Sequence, residues 1–156
     1  MKRIFEAIKE FLLEDVNVLV RQEDELTLVE FDGKHIVFGL VDVSKFSGLK
    51  ILVSVLPERQ SLGEGNCSDT VLSNEVLVTL ICGSDKFEAL QKKVVLYAEN
   101  FEKALFKRTG WETGIEDVVF RSADFTFDAG SISGQLTAAG IRLTVNTEIE
   151  TDDPFQ

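Results

Sequence analysis

The second half of the chain changes its hydrophobic period twice, and few folds accommodate that. Leu49 to Leu56 is β-rich, with Ile51, Val53 and Val55 on one face and Leu52 on the other, so both faces are expected to be partly covered. A polar excursion from Pro57 to Ser73 follows, and then a second apolar run, Val76 to Cys82. From Asp85 to about Arg108 the spacing lengthens. Phe87, Leu90, Val94, Tyr97, Phe101 and Leu105 recur at three- and four-residue steps, the stripe of one long amphipathic helix packed on a core. Beyond it the period returns to two, in strands near Val118 to Phe127 and Leu136 to Ile149. In the last, Ile141, Leu143, Val145, Thr147 and Ile149 oppose Arg142, Thr144, Asn146, Glu148 and Glu150. Such alternation belongs to an antiparallel sheet with one covered and one polar face. The expected class is α+β: a mainly antiparallel β-sheet with one long helix packed across a face, a short N-terminal helix and a protruding β-hairpin arm.

Local signals refine this layout. Ile4, Phe5, Ile8, Phe11 and Leu12 form one apolar stripe, predicting a short helix over Met1 to Leu13 that must dock on the core. Leu26 to Phe31 and His35 to Val41 read as two strands around Asp32-Gly33, a dipeptide suited to a type I′ turn. Ser44 to Gly48 reads as a connection in which Phe46 anchors the loop. Pro57 is expected to end its strand because it cannot donate to a ladder. Pro57 to Ser73 is either a long functional loop or two strand extensions around a tip at Gly63 to Asn66, an arm projecting from the sheet. Gly83 breaks the next strand, Asp85 with Glu88 has capping-box spacing, and Gly110 is placed to cap the helix C-terminus. Asp128 to Gly134 supplies the final turn.

A chain of 156 residues with 44% hydrophobic content is read as one domain, with Thr151 to Gln156 as a frayed acidic tail. No apolar stretch approaches the roughly 20 residues that span a bilayer, and charges at Glu6, Lys9 and Glu10 interrupt any signal-peptide core, so synthesis in the cytoplasm is expected. The net charge of −11 removes the attraction to phosphate that underlies most nucleic-acid binding. Lys92-Lys93, Lys103, Lys107 and Arg108 lie on the long helix and read as a solvated face with cations near its C-terminus. Cys67, Cys82 and the single histidine, His35, are too few for a disulfide framework or a zinc site.

No catalytic, cofactor-binding or metal-ligating residues are expected. The one Gly-x-Gly run, Gly63-Glu64-Gly65, precedes a strand rather than a helix and so lacks a phosphate-cradling context. His35 beside a turn lacks the fixed partner that a catalytic base needs. Asp124 and Asp128 could share a strand face as a paired acid but read as a polar face or turn, and Asp24, Glu25, Asp152 and Asp153 lack a calcium-loop pattern. Trp111 reads as a core plug at the helix end.

The order of elements resembles the tail terminator (tail completion) proteins of long-tailed bacteriophages. In them a short N-terminal helix leads to a small sheet, a strand runs into a long hairpin, and a helix crosses the sheet before two closing strands. Ile4 to Leu12, Lys50 to Leu56, Val76 to Cys82, Phe87 to Leu105, Val118 to Phe127 and Gly140 to Ile149 fall in that order, and the run Lys50-Ile51-Leu52-Val53-Ser54-Val55-Leu56-Pro57 is the most family-like piece. The resemblance implies a structural protein that forms a homo-oligomeric ring, a hexamer, on the tail tube protein. The ring ends tail polymerisation and presents a face to the head–tail connector protein. It binds no nucleic acid specifically, though DNA passes its lumen, and no membrane. The location implied is the virion tail. Arg59, Leu62, Glu64, Asn66, Arg121 and Arg142 are the expected subunit interface. The competing expectation is a monomeric α+β ligand-binding or regulatory module, with an apolar pocket between helix and sheet.

Overall fold

A computed structural model describes residues 1–40, 50–62, 71–83, 86–131 and 134–149. The fold is α+β. Helix α1 (Lys2–Phe11) continues through a π-helical turn, Leu12–Val16, into α2 (Asn17–Gln22). Strands β1 (Ile36–Phe38), β2 (Ile51–Leu62) and β3 (Val71–Cys82) precede helix α3 (Phe87–Lys107), and β4 (Ile115–Ser131) and β5 (Gly134–Glu148) close the chain. The five strands make one sheet in the order β1-β2-β3-β5-β4. Only β1 and β2 pair in parallel; the other three pairings are antiparallel.

Both helical segments pack on one face. The register aligns Val55, Val78 and Ile141 across that face, and Val53, Leu80 and Ala139 beside them. Leu90, Val94, Tyr97 and Phe101 of α3 and Ile4, Ile8, Phe11, Leu12 and Val16 of the first helix join them in one core. Phe101, 0% exposed, meets Phe11 edge-on with centroids 5.1 Å apart. The expected helical stripe and the covered face of the last strand are both present.

The N-terminal third departs from expectation. The first helix does not stop at Leu13, because Val16 and Val20 extend the buried stripe past Glu14 and Asp15. Leu26 to Phe31 is not a strand, and no type I′ turn forms. Asp32 is extended, and its carboxylate accepts from the Lys34 N–H to open a 3₁₀ turn over Gly33–His35. Among the described residues only Gly39 and Gly114 are glycines with positive φ, so Gly33 lacks the conformation a type I′ turn needs. Helix side chains take the hydrogen bonds a strand partner would supply. Asn17 Oδ1 accepts from the Phe31 N–H at 2.7 Å while its Nδ2 donates to the Phe31 carbonyl at 3.0 Å. Tyr97 donates to the Val29 carbonyl at 2.6 Å.

Three further expectations change. Pro57 does not end its strand: β2 continues to Leu62, with an irregularity between Pro57 and Arg59 that absorbs the missing donor. Of the two readings of the polar excursion, the strand extensions are present, paired as far as Leu62 with Leu72. Strand β5 accompanies β3 to Glu148, so the described part of the arm is broad sheet. Its tip, including Gly63, Glu64, Asn66 and Cys67, lies outside the described residues, as do Phe46, Asp85 and the acidic tail. Gly110 is not the cap of α3. Arg108 turns extended there, and its N–H reaches the Ala104 and Leu105 carbonyls.

Candidate functional site on the open sheet face

The face of the sheet opposite the helices buries a small apolar cluster, Leu52, Ile81 and Leu136, at one end and carries the charges towards the other. The register sets Arg59 against Glu75 on it, Thr144 beside Glu75, and Arg142 beside Leu77. Two strand irregularities border this area. One leaves Glu58 as the extra residue between Pro57 and Arg59; the other leaves Arg121 between Phe120 and Ser122. Bulges of this kind re-aim side chains. The result is a hollow of about 600 Å³ lined by Glu58, Arg59, Ser73, Glu75, Arg121, Arg142 and Thr144.

The three arginines differ in state. Arg142 is held from both sides, Nε lying 3.3 Å from Glu58 and Nη1 2.9 Å from Asp124. Arg121 is aimed by one bond, its Nε donating to the Thr144 hydroxyl at 2.9 Å, and no carboxylate among the described residues pairs with it. Arg59 has no side-chain partner among the described residues, and nor does Glu75 across from it. Three of the six arginines in a chain of net charge −11 therefore converge here, two without an ion pair. Guanidinium groups with free donors match carboxylates and other planar anions.

Of the expected interface residues, the structure brings Arg59, Arg121 and Arg142 together. Leu62 lies away from them. Its partner Leu72 pairs onward with Thr147, which places it on the helix side near the end of the sheet, 70% exposed. Glu64 and Asn66 lie outside the described residues. Glu58 and Glu75 were not anticipated, since only register and the bulges reveal which acids face the arginines.

Other candidates resolve separately. Asp124 pairs with Arg142, so it is part of the polar face. The Cys82 thiol is pushed up to about 12 by burial, which leaves it protonated and unreactive at neutral pH. Trp111 packs on Phe11 with centroids 5.5 Å apart, and the Arg108 guanidinium lies 4.1 Å from the Trp111 ring centre. Arg108, whose side chain is 15% exposed, also pairs with Asp15 at 3.0 Å, so it is no free cation on a solvated face. Among the described residues no cluster of His, Cys, Asp and Glu is arranged to hold a metal, and no helix is long and apolar enough to cross a membrane.

A second concavity, about 700 Å³, lies beside α3 and is lined by Leu26, Lys92, Val95, Leu96, Glu99 and Phe127 among others. Phe127 and Phe125 stack next to it on β4 at 6.5 Å, 45% and 41% exposed. No protein-family model matches the chain, and no curated protein matches it.

Proposed function

We propose that the protein is a structural subunit that assembles with copies of itself into a hexameric ring. In this reading the ring caps the tail tube of a long-tailed bacteriophage, ends tube polymerisation and joins the tail to the head–tail connector. The tail tube protein and the connector protein are its partners, and the virion tail is its location. The subunit works by geometry and needs no reaction.

The observation that carries this reading is a sheet that, among the described residues, is open at both ends. Among the described residues, strand β4 has no partner along its outer edge and β2 has no outer neighbour beyond Val55. Long bare edges invite pairing with another chain. Because the two edges lie at opposite ends of one sheet, joining them is a head-to-tail contact, the type that generates closed rings. The element order that resembles tail terminators supports the same reading, and the acidic chain suits a channel through which DNA slides without sticking.

The test is to add purified protein to polymerising tail tubes and image them. Tubes ending in a six-fold disc, with length held constant, are the expected result. Subunits that stay monomeric and leave tube length unchanged would overturn it. The alternative, a monomeric ligand-binding module, has one observation in its favour: the groove beside α3 lies within the usual size range of ligand sites. A monomer that binds a small molecule saturably, and loses it on Val95→Arg, would establish that reading instead.

A further inference from the structure

We infer that the half-exposed aromatic pair Phe125 and Phe127, at the β4 edge of the sheet, is the seat for Phe38 at the β1 edge of a second copy of the chain. This rests on the self-assembly reading and names the side chains that meet where two sheet edges join.

Among the described residues β1 and β4 are the outermost strands of the sheet, and each carries an aromatic patch. On β4, Phe125 and Phe127 stack with an angle of 10° between their planes and remain half-exposed. On β1, Phe38 is 51% exposed and meets the Phe5 ring of α1 edge-on, with centroids 5.6 Å apart. Rings gathered at a bare strand edge, rather than scattered singly, mark a contact surface.

The register puts both patches on one face and at one height. Phe38 is level with Val55, Val78, Ile141 and Ala123 across the sheet, and Ile36 is level with Val53, Leu80, Ala139 and Phe125. Both rows face the helix side, where Val53, Val55, Val78 and Leu80 enter the core. Strand β4 runs antiparallel to β1, because β1 follows β2 and the three other pairings each reverse direction. A second copy set beside the first in the same orientation therefore lays its β1 antiparallel along β4, and the contact repeats head to tail. Phe38 then falls opposite Ala123 and diagonal to Phe125, a separation that aromatic side chains reach across. The groove of about 700 Å³ beside α3, lined by Leu26, Val95, Leu96 and Phe127, leaves room on that side for the Phe5 ring that rides on Phe38. The flanking charges differ in sign as well. Glu25 and Glu99 outnumber Lys92 in the groove. Lys2 and Lys9 share the helix face of Phe5, and with Lys34 they outnumber Glu6 and Asp32.

Two measurements test this. One variant carries Phe38→Ser; the other carries Phe125→Ser with Phe127→Ser, and circular dichroism establishes that each is folded. In sedimentation each should weaken the assembly of the chain by about tenfold or more, because buried aromatic anchors dominate interfaces. The second measurement is cysteine pairing, which decides if a serine variant is unfolded. A Phe38→Cys chain mixed with an Ala123→Cys or a Phe125→Cys chain should form a mixed disulfide dimer under mild oxidation, since opposed strand positions lie within disulfide range. Wild-type assembly that survives both serine variants, with no mixed disulfide in either mixture, would overturn the seat and leave the ring reading standing. Loss with the β4 variant but not with Phe38→Ser, again without a mixed disulfide, would overturn the β1 edge as its occupant. A wild-type chain that stays monomeric at the highest attainable concentration and on tail tubes would overturn both.

Discussion

Replacing Asn17 by alanine should cost far more than a polar-to-alanine change in a helix usually does. The Asn17 amide makes two buried hydrogen bonds to one backbone position, accepting from the Phe31 N–H at 2.7 Å and donating to the Phe31 carbonyl at 3.0 Å. Alanine removes both and fills neither position. A buried donor left unpaired costs about 1–3 kcal/mol, and the orphaned carbonyl adds to that. Alanine returns up to about 0.7 kcal/mol through its better helix propensity. The expected net loss is about 2–3 kcal/mol. With a urea slope of about 2 kcal/mol per molar, the unfolding midpoint should fall by about 1–1.5 M. Hydrogen exchange gives a local readout, because the Phe31 amide should lose protection before the strand amides do. A loss under about 0.5 kcal/mol with the Phe31 amide still protected would refute the claim that Asn17 clamps this segment in place of a strand.

Two further perturbations probe the core. Phe101→Ala should destabilise by about 3–5 kcal/mol, because the ring is fully buried and packs edge-on against Phe11; a loss near zero in the same urea titration would place it outside the core. Stability should also fall at alkaline pH. Burial raises the Cys82 thiol from its ordinary 9.0 to about 12, and burial with the nearby Cys82 thiolate raises the Tyr97 phenol above its ordinary 10.0. The folded chain then holds protons that the unfolded chain releases, so both contributions are complete below pH 9.0 and are lost as the pH rises towards 12. Tyr97 is the only tyrosine, so tyrosinate absorbance follows it alone; ionisation at its ordinary value in the folded chain would contradict the buried phenol.

The legible parts of the fold were those where a long periodic pattern meets one core. The α3 stripe and the alternation from Ile141 to Thr147 each run for several repeats, and both face the core as expected. The stripe of the first helix, Ile4, Ile8, Phe11 and Leu12, also reaches the core as expected, but the rest of the N-terminal third was not legible in this way. Leu26 to Phe31 has strand-like composition, yet Asn17 and Tyr97 capture its backbone from distant helices, and no local pattern encodes a side-chain clamp. Asp32-Gly33 favoured a tight turn until the Asp32 side chain capped a 3₁₀ turn instead. The lost donor of Pro57 is visible in the sequence and points to a strand end, while the bulge that absorbs that loss is not visible there. The site was partly legible. Arg59, Arg121 and Arg142 stand out as cations in an acidic chain, but their convergence depends on strand order and on the bulges beside Arg59 and Arg121. Glu58 and Glu75 become part of the hollow only once those are known.

Native mass spectrometry of the wild-type chain, alone and after addition to tail tubes, bears most directly on ring assembly. A closed ring predicts a species at six times the 17.4 kDa of one chain. A single peak at 17.4 kDa under every condition, with nothing retained on the tubes, would contradict it.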